Sequence, residues 1–311
     1  MKSTTFTFQD HDGIDIFTYR WAPDTGELKA CIQISHGLGE HAERYTGFAE
    51  HFTGKGFACY ANDHRGHGRT AGVESRRGIL GPGGWDSVVK DLKQLTDIIK
   101  NECPGKPVFY VGHSWGAYLG QDYAQRFGSA LKGLVQSGST GRQSFVVQNF
   151  GVLLAKRAVR KLGADTPSEL AYRLTFQAFN RKFLPSPTGT DFDWLSRDPA
   201  VVKKYTGDPW CGFRISTGAA LEMILGLKKT WKPQNERKIP VDLPQLFLSG
   251  TADGSSGFLK ELKPLVKRYA EAYGFKDVTA KYYEGARHNV FNETNRGEVF
   301  ADLLEWLEAR L

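Results

Sequence analysis

One five-residue segment, Gly112-His-Ser-Trp-Gly116, limits what this chain can fold into more than any other. It directly follows a short apolar run, Val108-Phe-Tyr-Val-Gly112, which reads as a buried central strand. A helix-like stretch from Ala117 to Phe127 comes next. A serine held at such a junction sits on a tight turn. The flanking glycines avoid clashes where the backbone doubles back. The turn exposes the hydroxyl and aims the first N–H groups of the helix toward it. Strand, turn and helix in this order belong to a sheet with helices packed on it.

The rest of the chain supports that expectation. Strand-like runs at Cys31–Ser35, Phe57–Ala61, Leu131–Val135, Gln245–Leu248 and Val278–Tyr283 alternate with amphipathic helical patterns. The clearest helical face is Trp85, Val88, Val89, Leu92, Leu95 and Ile99; another, Val299, Phe300, Leu303, Leu304 and Leu307, closes the chain. The fold class is therefore α/β, with a mostly parallel central sheet flanked by helices. Between about Thr140 and Leu243 the rhythm breaks. Helix-like pieces (Gln148–Lys161, Ser168–Lys182 and Ser216–Lys229) carry little strand signal, and the interval is too long for a structureless loop. It is read as an inserted helical cap. The expected division is residues 1–140 and 243–311 for the core and 141–242 for the cap or lid. Additional βα units are the alternative.

Composition removes several classes. The 311 residues are 40% hydrophobic and 24% charged, the mix of a globular chain rather than a disordered or coiled-coil one. No apolar stretch is long enough to span a bilayer, and the first residues lack the apolar core of a signal peptide. Four scattered cysteines make neither a disulfide framework nor a CxxC metal site, and a cytoplasmic location is expected. The net charge of +7 is spread, its densest stretch being Lys156, Arg157, Arg160 and Lys161. Such a spread suits a solvated helix face or attraction to anionic lipid or substrate, and no nucleic-acid partner is expected.

A serine hydroxyl needs an adjacent base, and that base needs a carboxylate to hold its tautomer. In a strand–elbow–helix arrangement the partners follow in the order serine, acid, histidine. Of eight histidines only His288 lies beyond Ser114 in a loop, since His113 is its neighbour before it. The acid belongs at the carboxyl end of a strand. After the run Gln245–Leu248 the chain reads Ser-Gly-Thr-Ala-Asp253, so Asp253 is preferred over Asp242, which precedes the strand. Oxyanion donors are expected from the backbone N–H of Trp115 and, in the loop His36-Gly-Leu-Gly-Glu40, from that of Leu38. His36 is read as a structural hydrogen-bonder. Asp63, His64 and His67 invite a metal reading, but no further strong ligand is near in sequence, so no metal or cofactor is expected. Cap residues Phe179, Trp210 and Met223, with Phe176, Phe183, Trp194, Phe213, Ile224 and Leu227, are candidates to line an acyl pocket.

Taken together, His36-Gly-Leu-Gly-Glu-His41 with Arg44-Tyr45, Asp63-His-Arg-Gly-His-Gly68, Gly112-His-Ser-Trp-Gly116 and Gly285-Ala-Arg-His288 resemble the α/β-hydrolase superfamily. Within it the chain looks like the monoacylglycerol lipase and lysophospholipase branch, the serine aminopeptidase-like hydrolases. The resemblance implies Ser114 as nucleophile, Asp253 as acid, His288 as base, and the Leu38 and Trp115 amides as oxyanion donors. It also implies an ester or lipid substrate, with peripheral membrane contact left open. Two departures stand out: Gly254 where the family often has proline, expected to loosen the acid loop, and a bulky Trp115, expected to narrow the oxyanion site. An aminopeptidase of the same fold is one rival and would need a cap carboxylate, Glu169 or Glu222, to hold the substrate amine. A small-ester carboxylesterase and a non-catalytic ligand-binding module are the others.

Overall fold

In the computed structural model, which describes residues 1–142 and 144–311, eight strands make one sheet in the order β1-β2-β4-β3-β5-β6-β7-β8. These are β1 (Lys2–Gln9), β2 (Asp15–Ala22), β3 (Ala30–Ser35), β4 (Phe57–Asn62), β5 (Val108–His113), β6 (Gly133–Ser137), β7 (Gln245–Gly250) and β8 (Val278–Tyr283). From β4 to β8 all neighbours are parallel, whereas β1 and β2 join as an antiparallel hairpin at one edge. The α/β class expected from the sequence is the one observed.

Why the central strands read as unbroken apolar runs follows from their two covered faces. In β5, Tyr110 packs on one side with Val88, Leu92 and Leu95 of the helix Gly84–Glu102. Its neighbours Phe109 and Val111 face the other side, with Phe48, Phe52 and Trp306. Each such fully buried side chain contributes about 1.5–3 kcal/mol of burial.

Three features depart from the sequence reading. The hairpin of β1 and β2 was not expected; its outer strand is largely exposed and rich in threonine, so it shows little apolar alternation. The run predicted as one helix over Ser168–Lys182 is broken: a short helix at Glu169–Tyr172, a π-helical turn at Arg173–Gln177, then Ala178–Asn180 and a 3-10 turn at Arg181–Phe183. A further helical stretch, Leu262–Lys267 continuing through Ala272, had no counterpart in the periodicity.

Between β6 and β7, the helices Phe145–Leu162, Pro199–Thr206, Thr217–Thr230 and Pro233–Glu236 contribute no strand to the sheet. A small core of Phe176, Phe192, Trp194, Leu195, Val202 and Tyr205 holds part of this segment together.

The Asp63–Gly68 motif forms a turn locked by hydrogen bonds. The Asp63 carboxylate accepts the N–H groups of Ala42 and Arg69, each at 2.7 Å. Arg65 is buried and pairs with Asp10 at 2.6 Å and with Asp12 and Asp91 at 2.7 Å. His64 bonds Ser35 at 3.0 Å, while His67 accepts the Gly39 N–H at 3.2 Å.

Candidate active site

Ser114 occupies the turn between β5 and the helix Trp115–Phe127, and it does so in a conformation that L-residues rarely adopt, φ 53° and ψ −118°. The flanking glycines are required by space. A Cβ on Gly112 would lie 2.4 Å from the carbonyl oxygen of Gly116, and one on Gly116 would lie 2.0 Å from that of Ser35. Such contacts would force the elbow open, so the backbone strain at Ser114 is held in place by its neighbours.

His288 lies in the loop after β8 and Asp253 in the loop after β7; both are buried. The imidazole Nδ1 is 3.0 Å from each carboxylate oxygen of Asp253. Nε2 is also buried and has no hydrogen-bond partner among the described residues, which leaves it free for a hydroxyl. Burial pushes the Asp253 carboxyl up, but the His288 charge and hydrogen bonds from His288 and Ser255 outweigh it, and the group stays below its usual range. A paired anion is what an imidazolium needs beside it. His113, its ring centre 4.8 Å from that of His288, is pushed down to about 3 by burial and by that neighbour, so it remains neutral.

The loop after β3 meets the elbow directly. A Cβ on Gly37 would touch the Ser114 Cβ at 3.3 Å. Glu40 fixes this loop by accepting the Gly37 N–H at 2.7 Å, the Tyr45 hydroxyl at 2.8 Å and the Arg44 guanidinium at 3.0 Å. The N–H groups of Leu38 and Trp115 make no hydrogen bond among the described residues. The second opens the helix beginning at Trp115, where backbone dipoles favour a negative charge. The Trp115 indole is wholly buried, its ring 5.2 Å from those of His64 and His67, so the core takes up its bulk. At Gly254 a Cβ would come within 3.1 Å of the Phe179 carbonyl oxygen.

One residue escaped the sequence reading. The Ser255 hydroxyl donates to Asp253 Oδ1 at 2.8 Å and lies 2.9 Å from His288 Nδ1, bridging the two side chains. The signal was the pair of serines just after Asp253, but spacing alone could not tell which of them turns inward.

Ser114, His288, Leu38 and Trp115 all line a cavity of about 300 Å³, whose remaining wall is mainly apolar. Phe179 and Met223 are on that wall, as are Phe176, Trp194, Ile224 and Leu227. Trp210 is not: its ring lies under the Arg77 guanidinium, 4.7 Å away, where a cation–π contact holds it. Phe183 and Phe213 are likewise absent from the wall. The Trp194 ring lies tilted against His288 at 4.7 Å, and the Trp194 carbonyl accepts the His288 N–H at 3.2 Å. His36 accepts the His64 N–H at 3.0 Å beneath the loop, a structural bond.

The profile of the serine aminopeptidase family, S33, matches residues 26–295. A monoacylglycerol lipase of Mycolicibacterium smegmatis is 30% identical over 305 residues, covering 98% of this chain and 97% of its own. Among solved structures, a carboxyl esterase from Bacillus coagulans superposes with a TM-score of 0.90 at 24% identity, covering 100% of this chain and 99% of that one. A monoacylglycerol lipase from Paleococcus ferrophilus superposes with a TM-score of 0.70 at 25% identity, covering 95% and 99%.

Proposed function

This chain belongs to the serine aminopeptidase family, S33, within the α/β-hydrolase fold, and from that membership we propose that it cleaves monoacylglycerols or lysophospholipids through an acyl-enzyme. Ser114 attacks the ester carbonyl while His288 takes its proton; His288 then protonates the departing alcohol and activates water. Asp253 orients His288, and the Leu38 and Trp115 amides hold the oxyanion, each worth about 10²–10³ in rate. The observation that carries the substrate class is the cavity of about 300 Å³, apolar for most of its wall and ending on Ser114 and His288. That form suits one acyl chain with its ester at the polar end.

Residues 141–242 act as the lid in this reading. Its helices carry exposed Phe150, Leu153 and Leu174 together with the basic Lys156, Arg157, Arg160 and Lys161, and Leu184 is exposed beside them in the chain, a composition that favours peripheral contact with anionic lipid. No helix among the described residues is long and apolar enough to cross a membrane. A cytoplasmic site of action accords with four unpaired cysteines.

The aminopeptidase rival has less support. Glu169 is exposed and paired with Arg173 at 3.1 Å and Arg214 at 2.6 Å, and neither it nor Glu222 lines the cavity. Among the described residues the one carboxylate on the wall, Glu40, is held by Arg44 and the Gly37 amide. The deciding experiment compares hydrolysis of a monoacylglycerol, a lysophospholipid and an aminoacyl arylamide by the wild type and Ser114→Ala. Ester turnover that vanishes with Ser114 supports the proposal. Ester turnover retained by Ser114→Ala, or arylamide turnover equal to that of the esters, overturns it.

A further inference from the structure

Three metal-ligating side chains converge outside the acyl cavity. His41 ends the loop that carries Leu38, whereas Asp208 and Cys211 lie in the turn after the helix Pro199–Thr206, more than 160 residues further along the chain. One ligand atom from each falls within 4.8 Å of the others. His41 is buried and the other two are half-buried, so a bound ion would be reachable yet shielded.

The turn is already built for this convergence. Asp208 accepts the Trp210 N–H on Oδ1 at 2.9 Å, and its main-chain carbonyl accepts the Cys211 N–H at 3.0 Å. Its other oxygen, Oδ2, is thereby turned to His41 Nε2 at 2.8 Å. The turn is fastened to the loop close by: the Gly212 N–H and the Tyr205 hydroxyl both donate to the Gly39 carbonyl, at 2.9 and 2.7 Å. In a tetrahedral zinc site with bonds of about 2.0–2.3 Å, ligand atoms lie roughly 3.3–3.7 Å apart. A gathering within 4.8 Å is close to that spacing, with the 2.8 Å His41–Asp208 pair opening slightly to admit the ion. The charges balance as well. A thiolate and a carboxylate neutralise a divalent ion, and the nearby Arg44 is already paired with Glu40 at 3.0 Å.

We propose that His41, Asp208 and Cys211 bind one thiophilic divalent cation of the zinc class, with solvent completing the tetrahedron. The ion takes the place of the His41–Asp208 hydrogen bond: the proton on His41 Nε2 leaves to solvent, Nδ1 holds the ring's remaining proton, and the Cys211 thiol gives up its proton to solvent as the sulfur–metal bond forms. Because the ligands come from two distant segments, the ion fastens the Leu38 loop to the segment between β6 and β7. Its effect on turnover rests on the proposed role of Leu38; the binding itself does not.

The test uses the purified full chain and cobalt(II), whose thiolate charge-transfer and tetrahedral ligand-field bands report on sulfur ligation. The expected result is one cobalt per chain with both bands, displacement by zinc, and loss of the bands in Cys211→Ser and in Asp208→Asn. Zinc should slow p-nitrophenyl ester hydrolysis about fivefold or more in the wild type and leave Cys211→Ser unaffected. Two results overturn the proposal: no charge-transfer band in the wild type, or one that persists in a folded Cys211→Ser. Saturating zinc that leaves wild-type hydrolysis unchanged overturns the fastening.

Discussion

Gly138→Ala separates backbone strain from damage to the proposed base. Gly138 follows β6 at φ +59°, and a Cβ there would stand 2.8 Å from Cε1 and 3.0 Å from Nδ1 of His288. The left-handed backbone by itself costs an alanine about 1–2 kcal/mol. Carbon atoms settle about 3.5–4.0 Å apart, so the ring must retreat by roughly 0.7–1.2 Å. That retreat strains the two 3.0 Å contacts with Asp253 and moves Nε2 relative to Ser114, the proposed nucleophile. A misplacement of about 1 Å costs about 10²-fold in rate. The expected outcome is a fall of about 10²-fold in kcat/KM for p-nitrophenyl butyrate, with a loss of about 1–2 kcal/mol in urea unfolding. Gly105→Ala is the matched control, since Gly105 has φ +76° and a Cβ there would meet nothing within 4 Å. It should lose similar stability and hydrolyse the ester at the wild-type rate. Full turnover by Gly138→Ala, or an equal loss in Gly105→Ala, would refute the reasoning.

Ser255→Ala removes a hydroxyl bonded to a buried carboxylate, and kcat/KM should fall about tenfold; Asp253→Asn should cost about 10⁴-fold by imposing the wrong tautomer. Steady-state kinetics on one ester tests both, and an unchanged Ser255→Ala would remove that residue from the base-positioning group. Each methylene that enters the apolar cavity is worth about 0.8 kcal/mol, so kcat/KM should climb about fourfold per carbon along a p-nitrophenyl ester series until the cavity is full. A maximum at acetate would point to a shallow pocket instead. Acid should weaken the fold. His67 is pushed down to about 4 and His113 to about 3, and His36 and His64 also lie well below their ordinary value, all chiefly through burial. The folded chain then binds fewer protons than the unfolded one below about pH 6.5, so stability is full above that pH and falls as pH drops toward the folded values. His67 alone accounts for a loss of about 2 kcal/mol by pH 5. Asp63 and Asp91, pushed up to about 6 by burial, act in the opposite sense but are outnumbered. Urea midpoints at pH 7.5 and pH 5 check this, and equal midpoints would refute it.

How much of this was legible beforehand depended on the range of the interaction. The elbow around Ser114 could be read because its causes are local: two glycines, one strand and one helix within a dozen residues. Asp253 and His288 were reachable through chain order and strand ends, which are rules of topology. The hairpin of β1 and β2 was missed because its outer face meets water, and Phe6 and Phe8 stand alone among threonines and serines. Trp210 was misplaced among the pocket candidates because aromatic character cannot say which side of a short turn a ring takes. The convergence of His41 with Asp208 and Cys211 has no local signature at all, since only the packing of the segment after β6 brings the three together.

The contacts around His288 bear on how modules of this fold could be exchanged. The backbone of Trp194 and Leu195 accepts the N–H groups of His288 and Asn289 at 3.2 and 2.8 Å, and the Arg197 N–H reaches Glu293 at 3.0 Å. Residues 193–197 thus serve the core as a buttress although they lie, by chain position, between β6 and β7. A chimaera that swaps the whole interval between β6 and β7 would import a foreign support for its own His288. A graft that keeps this short stretch with the core and replaces only the helices around it would alter the cavity wall while leaving His288 on its native footing.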